Sequence, residues 1–351
     1  MFSLEKIIRP NVLRMKAYSS ARDEFKGAAS VFLDANENSL GSLAGENYNR
    51  YPDPHQKHLK KRIAELKGIR PEQIFLGNGS DEAIDLLFRM VCQPGQDTML
   101  HLPPTYGMYE VSANLNDVAL EAVQLTPDFQ IPVGEVLLSI RPATKLIFIC
   151  SPNNPSGNLI AEESIETILH NFDGLVVIDE AYADFAENPS WTTRLNEFPN
   201  LVVLQTFSKA WGMAGLRLGL AFASAELIAV LDKIKPPYNI NQATQELALQ
   251  ALEHTEALQD MLEEIKQERD LLQHALPRLD AVVKVYPSEA NFILVKVKDA
   301  DGLYNFLLDS GIVVRNRSKL AGCEGCLRIT VGTLEENQKL LQTIGEFGTQ
   351  D

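Results

Sequence analysis

The chain has 351 residues, enough for about two domains, and its 45% apolar content with ordinary Gly and Pro usage implies a packed core. The formal net charge of −15 argues against non-specific nucleic-acid binding and against anionic membrane surfaces, while a local arginine cluster can still hold a small anion. The opening "MFSLEKIIRPNVLRMKAYSS" lacks the apolar core and cleavage site of a signal peptide, no apolar run approaches the ~18 residues needed to span a bilayer, and four cysteines make no disulfide framework. These features point to a mature cytoplasmic protein.

In chain order, residues 1–30 read as an extended arm that packs on a smaller C-terminal domain or on a partner. Residues 31–250 read as a large domain and 251–351 as a small one. In "FLGNGSDEAIDLLF" a strand stops at Gly77 and a helix starts near Ser80. Gly79, Ser80 and Asp81 then sit where free N–H groups and the positive helix end suit an anion. The stretch lacks the third glycine of a dinucleotide fingerprint, since Glu82 stands there, and an ordinary strand–helix turn fits it equally well. "HLPPTYGMYEV" places Tyr106 after two prolines, as a core aromatic or as a platform for a ring. "TKLIFICSPNNPSGN" is a buried strand ending in a Pro- and Asn-rich cluster, either a tight turn or a rigid mount for an Asn amide.

"LVVIDEAYADF" ends an apolar strand on Asp179, whose carboxylate needs a cation or several donors: an N-cap, an ion pair, or a protonated ligand nitrogen. Tyr182, three residues on, is a candidate donor to a ligand oxygen. "NLVVLQTFSKAWGMAGLRLG" holds a lone Lys209 among small and apolar residues, with Arg217 eight positions later. Such a lysine is a satisfied structural cation or an amine kept ready for an aldehyde. "RLGLAFAS" completes a set of near-continuous apolar runs of the kind parallel strands show when buried on both faces. They alternate with helical patterns such as "DEAIDLLFRMVC" and "AEESIETILHNF", which implies a doubly wound α/β sheet with ligands beyond the carboxyl ends of its strands. Residues 240–278 read as mostly helical. "NFILVKV" and "CLRITVG" read as strands of the small domain, with a helix at "DGLYNFLLDSG". "CEGC", with Cys323 and Cys326, has no second Cys or His pair at metal spacing and reads as two ordinary cysteines in a turn; no metal is expected.

Taken together, successive strand ends carry a phosphate-type helix start, an aromatic, an Asn, an Asp, a Tyr, and a Lys followed by an Arg. This is the equipment for pyridoxal phosphate, which needs an amine partner for its aldehyde (Lys209), a carboxylate for its ring nitrogen (Asp179), and a cradle for its phosphate.

"SPNNPSG", "DEAY" and "TFSKAWGMAGLRLG" resemble the signature of fold-type-I pyridoxal-phosphate aminotransferases. "YSSAR", "LDANEN", "RYPDP", "GSDEAIDLL", "PPTYGMY" and "CLRITVGT" extend the resemblance to the histidinol-phosphate aminotransferase family over essentially the whole chain. The resemblance implies the fold-type-I architecture, a large, mostly parallel sheet domain plus a smaller α+β domain. It implies that Lys209 bonds the cofactor, Asp179 pairs with its ring nitrogen, Asn154 and Tyr182 bond its 3-hydroxyl oxygen, and Tyr106 stacks on the ring. Ser80 and Asp81 through their backbone, Ser208 and Arg217 hold the phosphate, and Gly79 and Thr206 complete the set. Thr206 stands where a serine is often found and keeps the hydroxyl. Lys209, Asp179 and Tyr182 are the implied catalytic residues. Tyr51 would reach the cofactor of a neighbouring subunit, making a homodimer. Tyr18, Asn154, Arg315 and Arg328 would hold the substrate, with Arg317 the more exposed neighbour.

The implied reaction converts L-histidinol phosphate and 2-oxoglutarate to imidazole-acetol phosphate and glutamate in histidine biosynthesis. An aromatic or broad-specificity aminotransferase, or a threonine-phosphate decarboxylase, would carry nearly the same cofactor motifs. A ligand-sensing regulator on this fold fits less well, given the negative charge, the lysine, and no DNA-binding helix pair ahead of the domain.

Overall fold

A computed structural model describes residues 2–20, 29–45 and 48–347. Its helices and strands follow in chain order: α1 (Leu4–Ile7), α2 (Pro10–Arg14), α3 (Lys57–Lys67), β1 (Ile74–Asn78), α4 (Ser80–Val91), β2 (Thr98–His101), α5 (Met108–Leu115) and β3 (Ala119–Ala122). Then come α6 (Val133–Ser139), β4 (Thr144–Cys150), α7 (Glu162–Asn171), β5 (Leu175–Asp179), β6 (Leu201–Thr206), β7 (Leu218–Phe222), α8 (Ala225–Ile234), α9 (Gln242–Ala251) and α10 (Thr255–Ala275). The chain continues with β8 (Val282–Val285), β9 (Phe292–Val297), α11 (Ala300–Asp309), β10 (Arg315–Asn316), β11 (Cys326–Thr330) and α12 (Leu334–Phe347).

The first sheet has seven strands in the order β1-β7-β6-β5-β4-β2-β3. The apolar runs of β4, β5, β6 and β7 form its middle, and β5 and β6 are buried along their whole length. The pleat divides their side chains between two layers. Leu146, Phe148, Leu175, Val177, Val202 and Leu204 face one layer. Ile147, Ile149, Val176, Ile178, Leu201 and Val203 face the other. Each such side chain, fully buried, contributes roughly 1.5–3 kcal/mol. One expectation needs correction: "RLGLAFAS" does not run parallel, because β7 pairs antiparallel with both β6 and β1. A parallel return needs a crossover of a dozen or more residues, usually a helix. Here the chain turns straight back from β6 through the lysine loop, with only a short 3-10 turn at Ala214–Leu216.

The second sheet, β10-β11-β9-β8, is wholly antiparallel. Its apolar face packs with Leu303 and Leu307 of α11, Leu340 and Ile344 of α12, and Leu272 at the end of α10. Leu258 and Leu262 of α10 instead pack with Tyr182, Phe185 and Phe292, joining the two sheets beside the β5 strand end.

Residues 4–14 are largely helical where an extended arm, on the small domain or on a partner, is expected. They form α1 and α2 and dock on the large sheet's helical layer through Ile7, Ile8 and Val12. The Arg9 N–H donates to Met90 O (3.0 Å) and its guanidinium to Arg89 O (3.0 Å), so it satisfies carbonyls at the end of α4. Lys233 Nζ donates to Val12 O (2.6 Å) and Leu13 O (3.1 Å). Ala21 and Arg22, the last two residues of "YSSAR", lie outside the described residues. Cys323 and Cys326 are buried free thiols, closed into a turn by Cys326 N–H to Cys323 O at 2.9 Å. Among the described residues no cluster could hold a metal, and no helix is long and apolar enough to cross a membrane.

Candidate active site

The carboxyl ends of β4, β5 and β6 lie side by side, and β7 brings the β1–α4 turn alongside them. Between them is a cleft open to solvent. Its lining includes Ser80, Asp81, Tyr106, Asn154, Asp179, Tyr182, Thr206, Ser208, Lys209 and Arg217, brought together from positions far apart in the chain.

Asp179 forms the floor. As the alternate of Leu175 and Val177 it points into the layer that holds α5. There Tyr109 donates its hydroxyl to Asp179 Oδ2 at 2.6 Å, and the Ala181 N–H donates to Oδ1 at 3.1 Å. Burial raises the pKa of Asp179 above the ordinary carboxylate value, and these two hydrogen bonds oppose the shift. The next residue, Glu180, turns away and is satisfied by Ser190, the Trp191 N–H and Gln205. Lys209 sits 5.6 Å above the Tyr182 ring centroid. Burial lowers its pKa from the ordinary lysine value, helped by the charges of Arg328 and Arg217. Its amine is thereby biased toward the neutral, nucleophilic form.

The opposite end of the cleft is rich in donors. Gly79, with φ of +75°, turns β1 into α4 and donates its N–H to Arg217 O at 2.6 Å. The first N–H groups of α4 have no partner within the helix. Gly219 on β7 passes directly beneath: a Cβ there would lie 2.0 Å from Ser80 N, so only glycine lets the turn sit so close. Arg217, itself left-handed with φ of +53°, reaches over the turn to Asp81 Oδ2 at 3.3 Å. Ser208 lines the same end. The Thr206 hydroxyl accepts the Ser208 N–H (3.1 Å) and donates to Leu218 O (3.2 Å), so its bonds shape the lysine loop.

The two asparagines of "SPNNPSG" have different tasks. Asn153 is 1% exposed and bonds Pro104 O, Ser156 and Thr105, which pins this loop to the Tyr106 loop. Asn154 faces the cleft, donating to the Tyr182 hydroxyl at 3.3 Å and accepting from Arg328 Nη1 at 2.5 Å. Tyr106 closes the side, its hydroxyl on Asp81 Oδ1 at 3.2 Å.

Arg328, on β11, lies over the Phe292 ring at 5.1 Å and meets the cleft through Asn154. Its Nε is buried without a hydrogen-bond partner. The β10–β11 register sets Arg315 opposite Arg328, and the Arg317 N–H bonds Cys326 O, so all three arginines share one face. The expected exposures of Arg315 and Arg317 are reversed: Arg315 is exposed, whereas Arg317, just past the end of β10, is half-buried with Cys323 among its neighbours. Tyr18 is 72% exposed and Tyr51 51% exposed, both away from this cleft. Tyr51 stacks on Tyr238 with centroids 4.5 Å apart, in a separate surface cleft with Glu37 and Arg50.

Sequence reasoning missed Tyr109 and Cys150. Tyr109 was visible in "PPTYGMY", one helical turn beyond Tyr106 on α5. Nothing in the local pattern ties it to a carboxylate 70 residues later.

The arrangement suits a flat molecule with an anionic group at the helix end, a basic ring nitrogen at Asp179, and a carbonyl within reach of Lys209. Comparison with known proteins bears on its identity. The family model described as "Aminotransferase class I and II" matches residues 19–344. The histidinol-phosphate aminotransferase of Cytophaga hutchinsonii is 53% identical over 346 residues, 99% of this chain and 99% of that protein. The enzyme of the same name from Parabacteroides distasonis is 55% identical over 344 residues, 98% of this chain and 99% of that protein. Among solved structures, histidinol-phosphate aminotransferase from Clostridium acetobutylicum matches with a TM-score of 0.81 and 25% identity, over 87% of this chain and 92% of that chain. The one from Sinorhizobium meliloti, solved in complex with pyridoxal-5'-phosphate, shares the fold with a TM-score of 0.79 and 24% identity, over 89% of each chain.

Proposed function

The chain belongs to the class I and II aminotransferases, and we propose that it transfers the amino group of L-histidinol phosphate to 2-oxoglutarate, giving imidazole-acetol phosphate and glutamate. The observation that carries the reading is the convergence of Lys209, Asp179 and the α4 helix start on one cleft, in a chain whose relatives of that name match it end to end. The cofactor is pyridoxal phosphate. The donor set fits it: unpaired N–H groups at α4, Ser208 and Arg217 for a phosphate, and a buried carboxylate for a ring nitrogen.

When bound, pyridoxal phosphate supplies an aldehyde for the substrate amine and a ring that draws electrons from the α-carbon. Ser80, Asp81, Ser208 and Arg217 hold the phosphate end, with Gly79 and Gly219 giving the backbone room. Tyr106 covers one face of the ring. Asp179 keeps a proton at the ring nitrogen, since a carboxylate in a dry site favours a cationic neighbour. Asn154 and Tyr182 offer hydrogen bonds to the 3-hydroxyl oxygen. Lys209 Nζ, in its neutral form, would take the substrate's α-proton as a base and deliver it as an acid to the carbon that carried the aldehyde. Arg328, with Arg315 and with Tyr18 from the arm, receives the substrate's phosphate ester in charge-assisted bonds. Tyr51 reaches the phosphate of a neighbouring subunit, so the active unit is a homodimer. The buried free thiols fit a cytoplasmic location.

The test is the absorbance change of the purified yellow protein on adding an amino donor. Histidinol phosphate converts the cofactor to its amine form, and 2-oxoglutarate restores it. Equal conversion by phenylalanine, or release of carbon dioxide from threonine phosphate, would overturn the substrate assignment.

A further inference from the structure

Tyr109 is not among the residues that line the cleft, yet it bonds one atom that does. The side chain is 0% exposed. Its ring stacks on Phe148 (4.6 Å, 19°) and meets Tyr106 edge-on (5.5 Å, 84°), and its hydroxyl donates to Asp179 Oδ2 at 2.6 Å, with the Cys150 thiol also beside it.

The groups around Asp179 can be taken element by element. From the end of β5 itself, the Ala181 N–H donates to Oδ1. From α4, Asp81 opposes ionisation, and from the loop after β6, Lys209 favours it. Cys150 of β4, Tyr106 before α5 and Tyr182 after β5 are all pushed by burial toward their neutral forms. Burial is the largest influence on Asp179 and favours the neutral acid. The Tyr109 hydrogen bond is the largest influence against it, ahead of Lys209. An ionised carboxylate has about four acceptor sites. Tyr109 and Ala181 take one on each oxygen, which fixes the plane of the group and leaves the rest for the cleft.

We propose that Tyr109 is a positioning residue: its hydroxyl holds Asp179 ionised and in one orientation, so that a ring nitrogen seated in the cleft keeps its proton. The inference rests on the reading of the cleft as a pyridoxal phosphate site.

Tyr109→Phe keeps the ring stack and removes only the donor. A hydrogen bond to a charged group corresponds to a shift of about one to two pH units. In the holoenzyme the acid limb of kcat/KM for histidinol phosphate should therefore move up by that amount. At neutral pH kcat should fall about tenfold or more, with the KM of the donor nearly unchanged. In cofactor-free protein labelled with carboxyl-13C aspartate, the resonance missing from Asp179→Asn should titrate at higher pH in Tyr109→Phe. In the Asp179→Asn background, Tyr109→Phe should cost nothing further, because the bond it removes no longer controls a charge. An unmoved acid limb, an unmoved Asp179 titration, or an equal fold loss in both backgrounds would overturn the proposal. If Tyr109→Phe does not fold, 3-fluorotyrosine at position 109 is the isosteric alternative. As a stronger donor it should move the acid limb down, and no movement would overturn the proposal. The carboxyl titration needs no cofactor, so Tyr109 can hold while the functional reading fails; a parent protein that shows no spectral response to histidinol phosphate marks the second failure alone.

Discussion

Lys209 shows how one side chain is prepared by its surroundings. Burial and two guanidinium groups lower its pKa, while Asp179 and Asp81 pull the other way. Its amine is therefore available as a base at lower pH than an exposed lysine. Lys209→Ala should bind cofactor without a covalent link and lose roughly a thousandfold or more in turnover, the scale of a general base. Borohydride reduction followed by peptide mapping should place the label on Lys209 in the parent and nowhere in the variant. Asp179 carries the opposite liability. Its folded pKa is raised by burial, so the folded state binds a proton more tightly than the unfolded chain. Stability from this group is thus present at low pH and declines as pH rises from the ordinary carboxylate range through the raised folded value. Asp179→Asn should stabilise the cofactor-free protein at neutral pH by on the order of 1 kcal/mol, the cost commonly stored in an active site. Melting curves from pH 4 to 8 should show the gain shrinking as pH falls; a constant difference would contradict it. Both residues were legible in the sequence as polar groups ending apolar runs. Their partners were not.

At the scale of elements, two strand pairings decide the chemistry. β7 runs antiparallel beneath the β1–α4 turn, which is why Gly219 faces Gly77 and cannot carry a side chain. Gly219→Ala should push Ser80 out of place, costing about 1–3 kcal/mol as overpacking does. It should also weaken cofactor binding about tenfold, measured by fluorescence titration; unchanged affinity would show that the turn does not hold the phosphate. The β10–β11 pair gathers Arg315, Arg317 and Arg328 on one face. Among the described residues none of the three has a carboxylate ion-pair partner, whereas Arg194 is ringed by Glu162, Glu166 and Glu197. Arg328→Gln should lower kcat/KM for histidinol phosphate by one to two orders of magnitude, at roughly 1.5–3 kcal/mol per charge-assisted bond. Unphosphorylated histidinol should lose less. An equal loss on both donors would separate Arg328 from the phosphate. The strands themselves were legible as apolar runs, but the direction of β7 was not, because burial on both faces looks the same in either direction.

For the whole molecule, Tyr51 and Tyr18 lie outside the cleft of their own chain and are both exposed. If Tyr51 completes a neighbouring subunit's site, mixing Lys209→Ala with Tyr51→Ala protein should form hybrids with one intact site. Activity recovered after subunit exchange would support the shared site, and its absence after proven exchange would count against it. The amino-acid sequence alone determined the α/β class, the strand ends that carry chemistry, and the residue types assembled there. These are local properties, set by apolar periodicity and by polar groups placed where a buried run stops. Only the tertiary structure decided that Tyr109 serves Asp179, that Asn153 pins a loop while Asn154 faces the cleft, and that residues 4–14 dock on α4 and α8. Each of these depends on which strands become neighbours and which face the pleat presents. That is fixed by contacts between residues tens to hundreds of positions apart, where no local pattern reaches.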